Sequence, residues 1–294
     1  MNKILTIILC SVIILVSCSK EGAPKYQQPV LNNVPKLIFK LHFDSTLARL
    51  DNFGNPSNIP TGNSAQTPQF NLMGLHSIEF TEDSLTALGL GSILYSSPIT
   101  TLGGAPATDF NQLTTVGDGG TFYSIPIPNI TPGNYKWARV ALTYQNYNIY
   151  YLASGNFYTG TLASFVDDIT YIANHTINTQ NINVYSNKSQ GYWAFETLGL
   201  VFEGQATGTT VPNPISTSSP IPAGSCVITG RFPSDLVITG NETSDIVVTF
   251  NLSINNSFEW KDLNSDGLYE PSDGINPGDT VVDMGLRGLF PTYQ

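Results

Sequence analysis

Lys36-Leu37-Ile38-Phe39-Lys40-Leu41-His42-Phe43 sets Leu37, Phe39, Leu41 and Phe43 on one face, with Lys36, Lys40 and His42 on the other. That period of two is the pattern of a half-buried β-strand. The same texture recurs outward from it. His76-Ser77-Ile78-Glu79-Phe80-Thr81 alternates, as do residues 121–125 and the long run 135–152. Ile130-Thr131-Pro132-Gly133-Asn134 supplies a turn ahead of that run, with Gly free to take positive φ. Residues 84–94 carry two Gly, which argues against a helix there. Further strands are expected over 157–171, 177–185, 192–202, 225–232 and 245–260. Loops are expected over 51–70 and over the Thr-, Pro- and Gly-rich stretch 202–225. No window of eleven or more residues sustains a 3.6-residue period, so the expected fold is all-β, an antiparallel β-sandwich with long loops. Two β-domains remain open, an N-terminal region 36–155 and a C-terminal region 156–294, with the break at Ala153-Ser154-Gly155-Asn156. A single sandwich spanning both regions is the alternative.

The chain has 294 residues, 41% of them hydrophobic and 11% aromatic, which is ample for a large core. Only 12% are charged, against about 25% in ordinary soluble domains. Solubility therefore rests on Asn, Thr, Ser and Gln. A net charge of −10 with 12 Lys plus Arg argues against a nucleic-acid partner.

Lys3 precedes an uncharged apolar run over residues 4–15 that is too short for a mature membrane-spanning helix. It ends in Leu15-Val16-Ser17-Cys18, which resembles the lipobox of bacterial lipoproteins. The resemblance implies that residues 1–17 are a signal peptide and that Cys18 is acylated and becomes the membrane anchor. An uncleaved anchor or a simple secretory signal is the alternative. Residues 18–35 are polar, Pro-containing and aperiodic, as expected of a flexible tether. Ser19-Lys20-Glu21-Gly22 resembles the surface-export signals of Bacteroidetes lipoproteins. The expected location is thus the outer membrane or cell surface, with a periplasmic orientation as the alternative. With Cys10 in the signal and Cys18 acylated, Cys226 has no disulfide partner in the mature chain.

The densest chemistry lies in residues 262–273, Asp262-Leu263-Asn264-Ser265-Asp266-Gly267-Leu268-Tyr269-Glu270-Pro271-Ser272-Asp273. Oxygen-bearing side chains occupy positions 1, 3, 5, 9 and 12, with Gly at the sharp turn at position 6. That spacing wraps a short loop round a hard cation that needs six or seven oxygens. It resembles the calcium loops of EF-hands, dockerins and thrombospondin type-3 repeats. The expected ligands of a structural Ca2+ are Asp262, Asn264, Asp266 and the Leu268 carbonyl. Asp273 would close the site, with Glu270 bound directly or through water. Asp at position 12 is shorter than the usual Glu, and the flanks are not helical, since Pro271 and Pro277 follow. A metal-free Asp/Asn/Gly turn is the alternative reading, but converging carboxylates with only Lys261 nearby would repel one another.

Other candidates are weaker. His42 and His76 sit on expected strands, with Met73 near His76, a set that folding would have to assemble into a copper or zinc site; His175 stands apart. Ordinary surface histidines and a core Met are the simpler reading. Tyr144, Tyr147 and Tyr151 lie among amides, the combination that sugar-binding surfaces use, although half of this stripe is expected to be core. No G-x-S-x-G elbow, P-loop, H-E-x-x-H or dinucleotide fingerprint occurs. Cys226 as nucleophile, and paired carboxylates among Glu79, Glu82, Asp83, Glu196 and Glu203, are the remaining enzyme signals.

The lipobox, the strand 37–43 and the C-terminal run Asn255-Asn256-Ser257-Phe258-Glu259-Trp260-Lys261-Asp262 resemble an uncharacterised family of Bacteroidetes cell-envelope lipoproteins. The early strand followed by Pro132-Gly133-Asn134-Tyr135 is faintly similar to periplasmic MbnP-like proteins. That similarity would imply a β-sandwich with copper bound by His or Trp, though this chain lacks their paired cysteines and rich His content. The expected function is a non-enzymatic, lipid-anchored module binding a glycan, peptide or small molecule, with structural calcium. A copper-binding protein and a calcium-dependent carbohydrate-active enzyme are the alternatives.

Overall fold

Alternating apolar residues and Gly-, Asn- and Pro-bearing turns give nineteen strands in the computed structural model, which describes residues 34–206, 226–272 and 277–294. In chain order they are β1 (Lys36–Asp44), β2 (Asn63–Gln66), β3 (Gln69–Thr81), β4 (Ser92–Ser96), β5 (Ile99–Thr100), β6 (Ala107–Asp109) and β7 (Thr115–Val116). Next come β8 (Thr121–Pro126), β9 (Gly133–Ala153), β10 (Asn156–Phe165), β11 (Ile169–Thr176), β12 (Asn181–Ser189) and β13 (Tyr192–Thr197). The remainder are β14 (Leu200–Gln205), β15 (Val227–Ile238), β16 (Ile246–Ser253), β17 (Phe258–Lys261), β18 (Thr280–Met284) and β19 (Gly288–Tyr293). Among the described residues there is no α-helix, only two 3-10 turns. The all-β fold class stands.

The strands form four sheets. One has the order β19-β16-β1-β8; the largest runs β14-β13-β10-β9-β3-β4, with β15 added on β9 and β7 on β3; the others are β12-β11-β6-β5 and β18-β17-β2. Pairing is mostly antiparallel, but β1 with β16 and β6 with β11 are parallel. β1 and β16 lie far apart in sequence, so no hairpin dictates their direction. Their apolar residues still fall in register, Phe39 opposite Val248 and Leu41 opposite Phe250.

The 21-residue β9 organises the whole body. Its first half is flanked by β15 and β3, its second half by β10 and β3. Around the first half, Leu37, Phe39 and Leu41 of β1 meet Ile78 and Phe80 of β3 in the main core. Around the second half both faces are covered. Tyr144, Phe165 and Tyr192 pack on one side, and Tyr147, Ile149, Phe258 and Trp260 on the other. This double covering buries Tyr144, Tyr147 and Tyr151, which the alternation alone would have split between an inner and an outer face. Tyr150 is the exposed member of the run.

Ala153-Ser154-Gly155-Asn156 is a hairpin rather than a gap. Ser154 and Gly155 both take positive φ, as a two-residue primed turn requires, and Asn156 pairs straight back onto Ala153. Residues 34–294 cluster as one compact unit.

His175 on β11 makes the fold sensitive to acid. It is buried, neither ring nitrogen has a hydrogen-bond partner among the described residues, and the rings of Phe165, Tyr192 and Phe110 stand edge-on around it. Desolvation pulls its pKa down to about 4, against an opposing pull from Glu203. Because the folded state favours the neutral ring, its contribution is complete above the unfolded value of 6.5 and is lost as pH falls toward 4. Folding free energy should drop by about 2 kcal/mol from this group between neutral pH and about pH 4.5. His175→Phe should flatten that part of a urea-unfolding pH series; an unchanged acid slope would show that other groups set it.

Candidate functional site

The hairpin β13–β14 turns at Leu198-Gly199, where both residues take positive φ. It stands at the edge of the largest sheet, beside the end of β9. Opposite it stand Tyr269, Pro271 and Ser272, together with residues 277–281 leading into β18. Between them lies a cavity of about 770 Å³. Trp193, Phe195 and Phe202 line it from the hairpin, Tyr151 from β9, and Phe258 and Tyr269 from the opposite wall. The polar lining among the described residues is Thr197, Ser272, Asp279 and Thr280. Most of these polar groups already have partners. Thr197 Oγ1 is 2.9 Å from Tyr151 Oη and donates to the Thr159 carbonyl at 3.2 Å. The Asp279 carboxylate accepts the N–H groups of Leu263 at 3.0 Å and Glu270 at 2.9 Å.

The acidic loop forms the base of that opposite wall. Asp262, at the end of β17, is buried. Its carboxylate accepts from Ser64 Oγ at 2.7 Å, Ser265 N at 2.7 Å and Gly267 N at 2.8 Å. The Ser64 bond is the largest of the causes that hold its pKa below the ordinary carboxylate value, with the backbone donors adding to it. Ser265 and Gly267 take positive φ, so the sharp turn falls where the spacing puts it. Asn264 Nδ2 donates to Asp266 Oδ2 at 3.1 Å and Glu270 Oε2 at 2.8 Å, bringing three of the expected ligands together. Leu268 N donates to Asp266 Oδ1 at 2.8 Å. An ionised carboxylate has about four acceptor sites, and the donors around Asp262 already occupy most of them. Asp273 lies outside the described residues, as does Cys18. Among the described residues no group of three or more His, Cys, Asp or Glu is disposed to hold a metal. Any cation here would therefore lean on Asn264, on backbone carbonyls and on water as well as on carboxylates. The loop is tied to the cavity through Tyr269, whose carbonyl accepts Leu152 N of β9 at 2.8 Å.

The remaining candidates are engaged singly. His42 Nδ1 meets Asp118 Oδ1 at 2.8 Å, while His76 Nδ1 faces Asp167 Oδ2 at 2.9 Å and Thr108 Oγ1 at 3.0 Å. The two histidines lie in different sheets, and Met73 is buried in the main core. The Asp167 hydrogen bond raises the His76 pKa against desolvation. Ser97 Oγ, at 3.3 Å, addresses the same Nδ1. One nitrogen thus faces both groups, and His76 cannot relay a proton between them as a base in a triad would. Glu79 pairs with buried Arg139 at 3.0 Å, Glu196 accepts from the backbone of residues 178–180, and Glu203 accepts from Tyr192 Oη. Burial pushes the Cys226 thiol up to about 12, which suppresses the thiolate a nucleophile needs.

The aromatic hairpin is what the sequence reading missed. Residues 192–202 scan as one strand because Leu198 is not a usual turn residue. The only local signal is Gly199. No protein-family model, curated protein or solved structure matches this chain.

Proposed function

We propose that this chain is a lipid-anchored cell-envelope binding module that takes a small, largely apolar molecule into the cavity between the β13–β14 hairpin and the acidic loop. The cavity itself carries the reading: at about 770 Å³ it falls in the range of small-molecule sites, and its walls combine aromatic rings with a few polar groups. Its one described carboxylate, Asp279, holds backbone N–H groups, an arrangement suited to binding rather than reaction. Anchoring rests on Cys18 and its lipobox. A ligand with a flat apolar face, including the hydrophobic side of a sugar ring, would stack on Trp193, Phe195 or Phe202.

Titration with the apolar fluorophore N-phenyl-1-naphthylamine tests the site. Phe202 is 51% exposed on an edge strand, so Phe202→Glu should fold while placing a charge in the lining. The variant should bind about ten-fold more weakly, the effect of about 1.4 kcal/mol of lost apolar contact. Equal affinity in parent and variant would contradict the assignment.

Calcium in the loop belongs to the same proposal, as a clip for the cavity wall. Asp262→Ala is a poor test, since it also removes bonds from Ser64, Ser265 and Gly267. Asp266→Asn and Glu270→Gln alter charge on exposed or half-exposed side chains. The parent should melt at higher temperature with calcium than with chelator, and the double variant should melt identically in both. A parent indifferent to calcium would remove the ion from the account.

A further inference from the structure

Residues 84–91, within the 82–91 connection from β3 to β4, expose an unusual amount of hydrocarbon. Leu85, Leu88 and Leu90 are 53%, 41% and 77% exposed, and Ile93 at the start of β4 is 53% exposed. Yet the loop backbone is firmly held. Arg139, buried in β9 and paired with Glu79, donates from Nη2 to the carbonyls of Ser84 at 3.2 Å and Thr86 at 2.9 Å. Glu79 Oε1 accepts Gly91 N at 2.6 Å, and Asp83 Oδ1 accepts Leu85 N at 2.6 Å. A buried ion pair therefore fixes a loop whose leucines point into water, a cluster that calls for an apolar partner.

The place where the chain enters the body identifies that partner. Across the main core, Phe43 of β1 packs on Phe70 of β3 at 5.1 Å, and Phe39 on Phe80 at 5.9 Å. β1 therefore runs opposite to β3, and its first residue, Lys36, lies beyond Phe80, at the same end as loop 84–91. From Cys18 to Val34 the chain can reach at most about 55 Å, so an acyl anchor at Cys18 attaches the body by this end and lets it reach the bilayer. The cavity lies at the other end of β9. Trp137 pairs with Thr81, whereas Tyr151 lines the cavity about 45 Å farther along the strand.

We infer that Leu85, Leu88 and Leu90 form a bilayer-docking tip, inserting side chains among lipid headgroups and holding the cavity away from the membrane. This rests on the anchoring reading for Cys18, and the test separates the two. The chain from Ser19 onward, carrying an N-terminal histidine tag, is tethered to phosphatidylcholine–phosphatidylethanolamine vesicles through a nickel-chelating lipid. Tethering then no longer depends on acylation. A nitrobenzoxadiazole label is placed at Leu90→Cys or, as the distal control, at Leu263→Cys, both in a Cys226→Ser background. Leu263 is 56% exposed in the acidic loop. Docking requires the label at position 90 to shift to the blue and to be quenched by spin-labelled lipid, while the label at 263 does neither. A label at 90 that stays in water, equal responses at both positions, or burial of 90 only through self-association in solution would overturn the proposal. Mass measurement of the N-terminal peptide from host membranes tests acylation of Cys18 on its own.

Discussion

Arg287→Met should lower the unfolding free energy by about 3–5 kcal/mol, the cost of leaving a buried charge without its partner. Arg287 is 1% exposed and pairs with Asp283, itself 3% exposed. It also donates to the Leu50 carbonyl at 3.1 Å and to Ser57 Oγ at 3.2 Å. Alongside, Arg49 pairs with Glu259 and donates to the carbonyls of Asn58 at 2.7 Å and Asn256 at 3.0 Å. The two arginines thus staple the irregular segment that precedes β2 onto the strands leading to the acidic loop. Burial pushes the Asp283 carboxyl up to about 6, with Arg287 opposing the shift. Because the folded state favours the protonated form, this group's contribution is full below the unfolded value of 3.8 and is lost as pH rises through about 6. Removing Arg287 drives the carboxyl further up. The variant's deficit in urea unfolding should therefore be smaller at about pH 5 than at about pH 8. Adding Asp283→Asn should recover most of it at the higher pH. A deficit that is small and independent of pH would show that the pair is not the staple described.

Trp260→Ala should cost a comparable amount, about 3–5 kcal/mol, as a fully buried large ring replaced by a cavity. Trp260 is 1% exposed on β17. Its ring lies 6.0 Å from that of Phe258 and 5.5 Å from that of Tyr269, both of which line the cavity. The substitution should therefore weaken fluorophore binding as well as stability. Urea unfolding and the same titration measure both. Lost stability with unaltered binding would separate Trp260 from the wall.

Where one face of a strand meets the core, the sequence was legible. β1 follows its alternation residue for residue, and the turn at Gly267 falls where the acidic spacing places it. Legibility fails where both faces are covered or where a turn lacks its usual residues. Tyr144 and Tyr147 sit between two sheets, so alternation no longer marks an outside. The strand expected over 192–202 folds back at Leu198-Gly199, and the one expected over 245–260 breaks at Asn256, another residue at positive φ. The parallel pairing of β1 with β16 and the cavity itself both depend on contacts between distant segments, which no local pattern encodes.

The most direct measurement is a crystal structure of the protein saturated with a brominated form of the fluorophore, with bromine located by anomalous scattering. The account requires the bromine peak between Trp193, Phe202 and Tyr269. A well-ordered, saturated crystal in which the peak lies elsewhere and the space between those rings holds only solvent would contradict it.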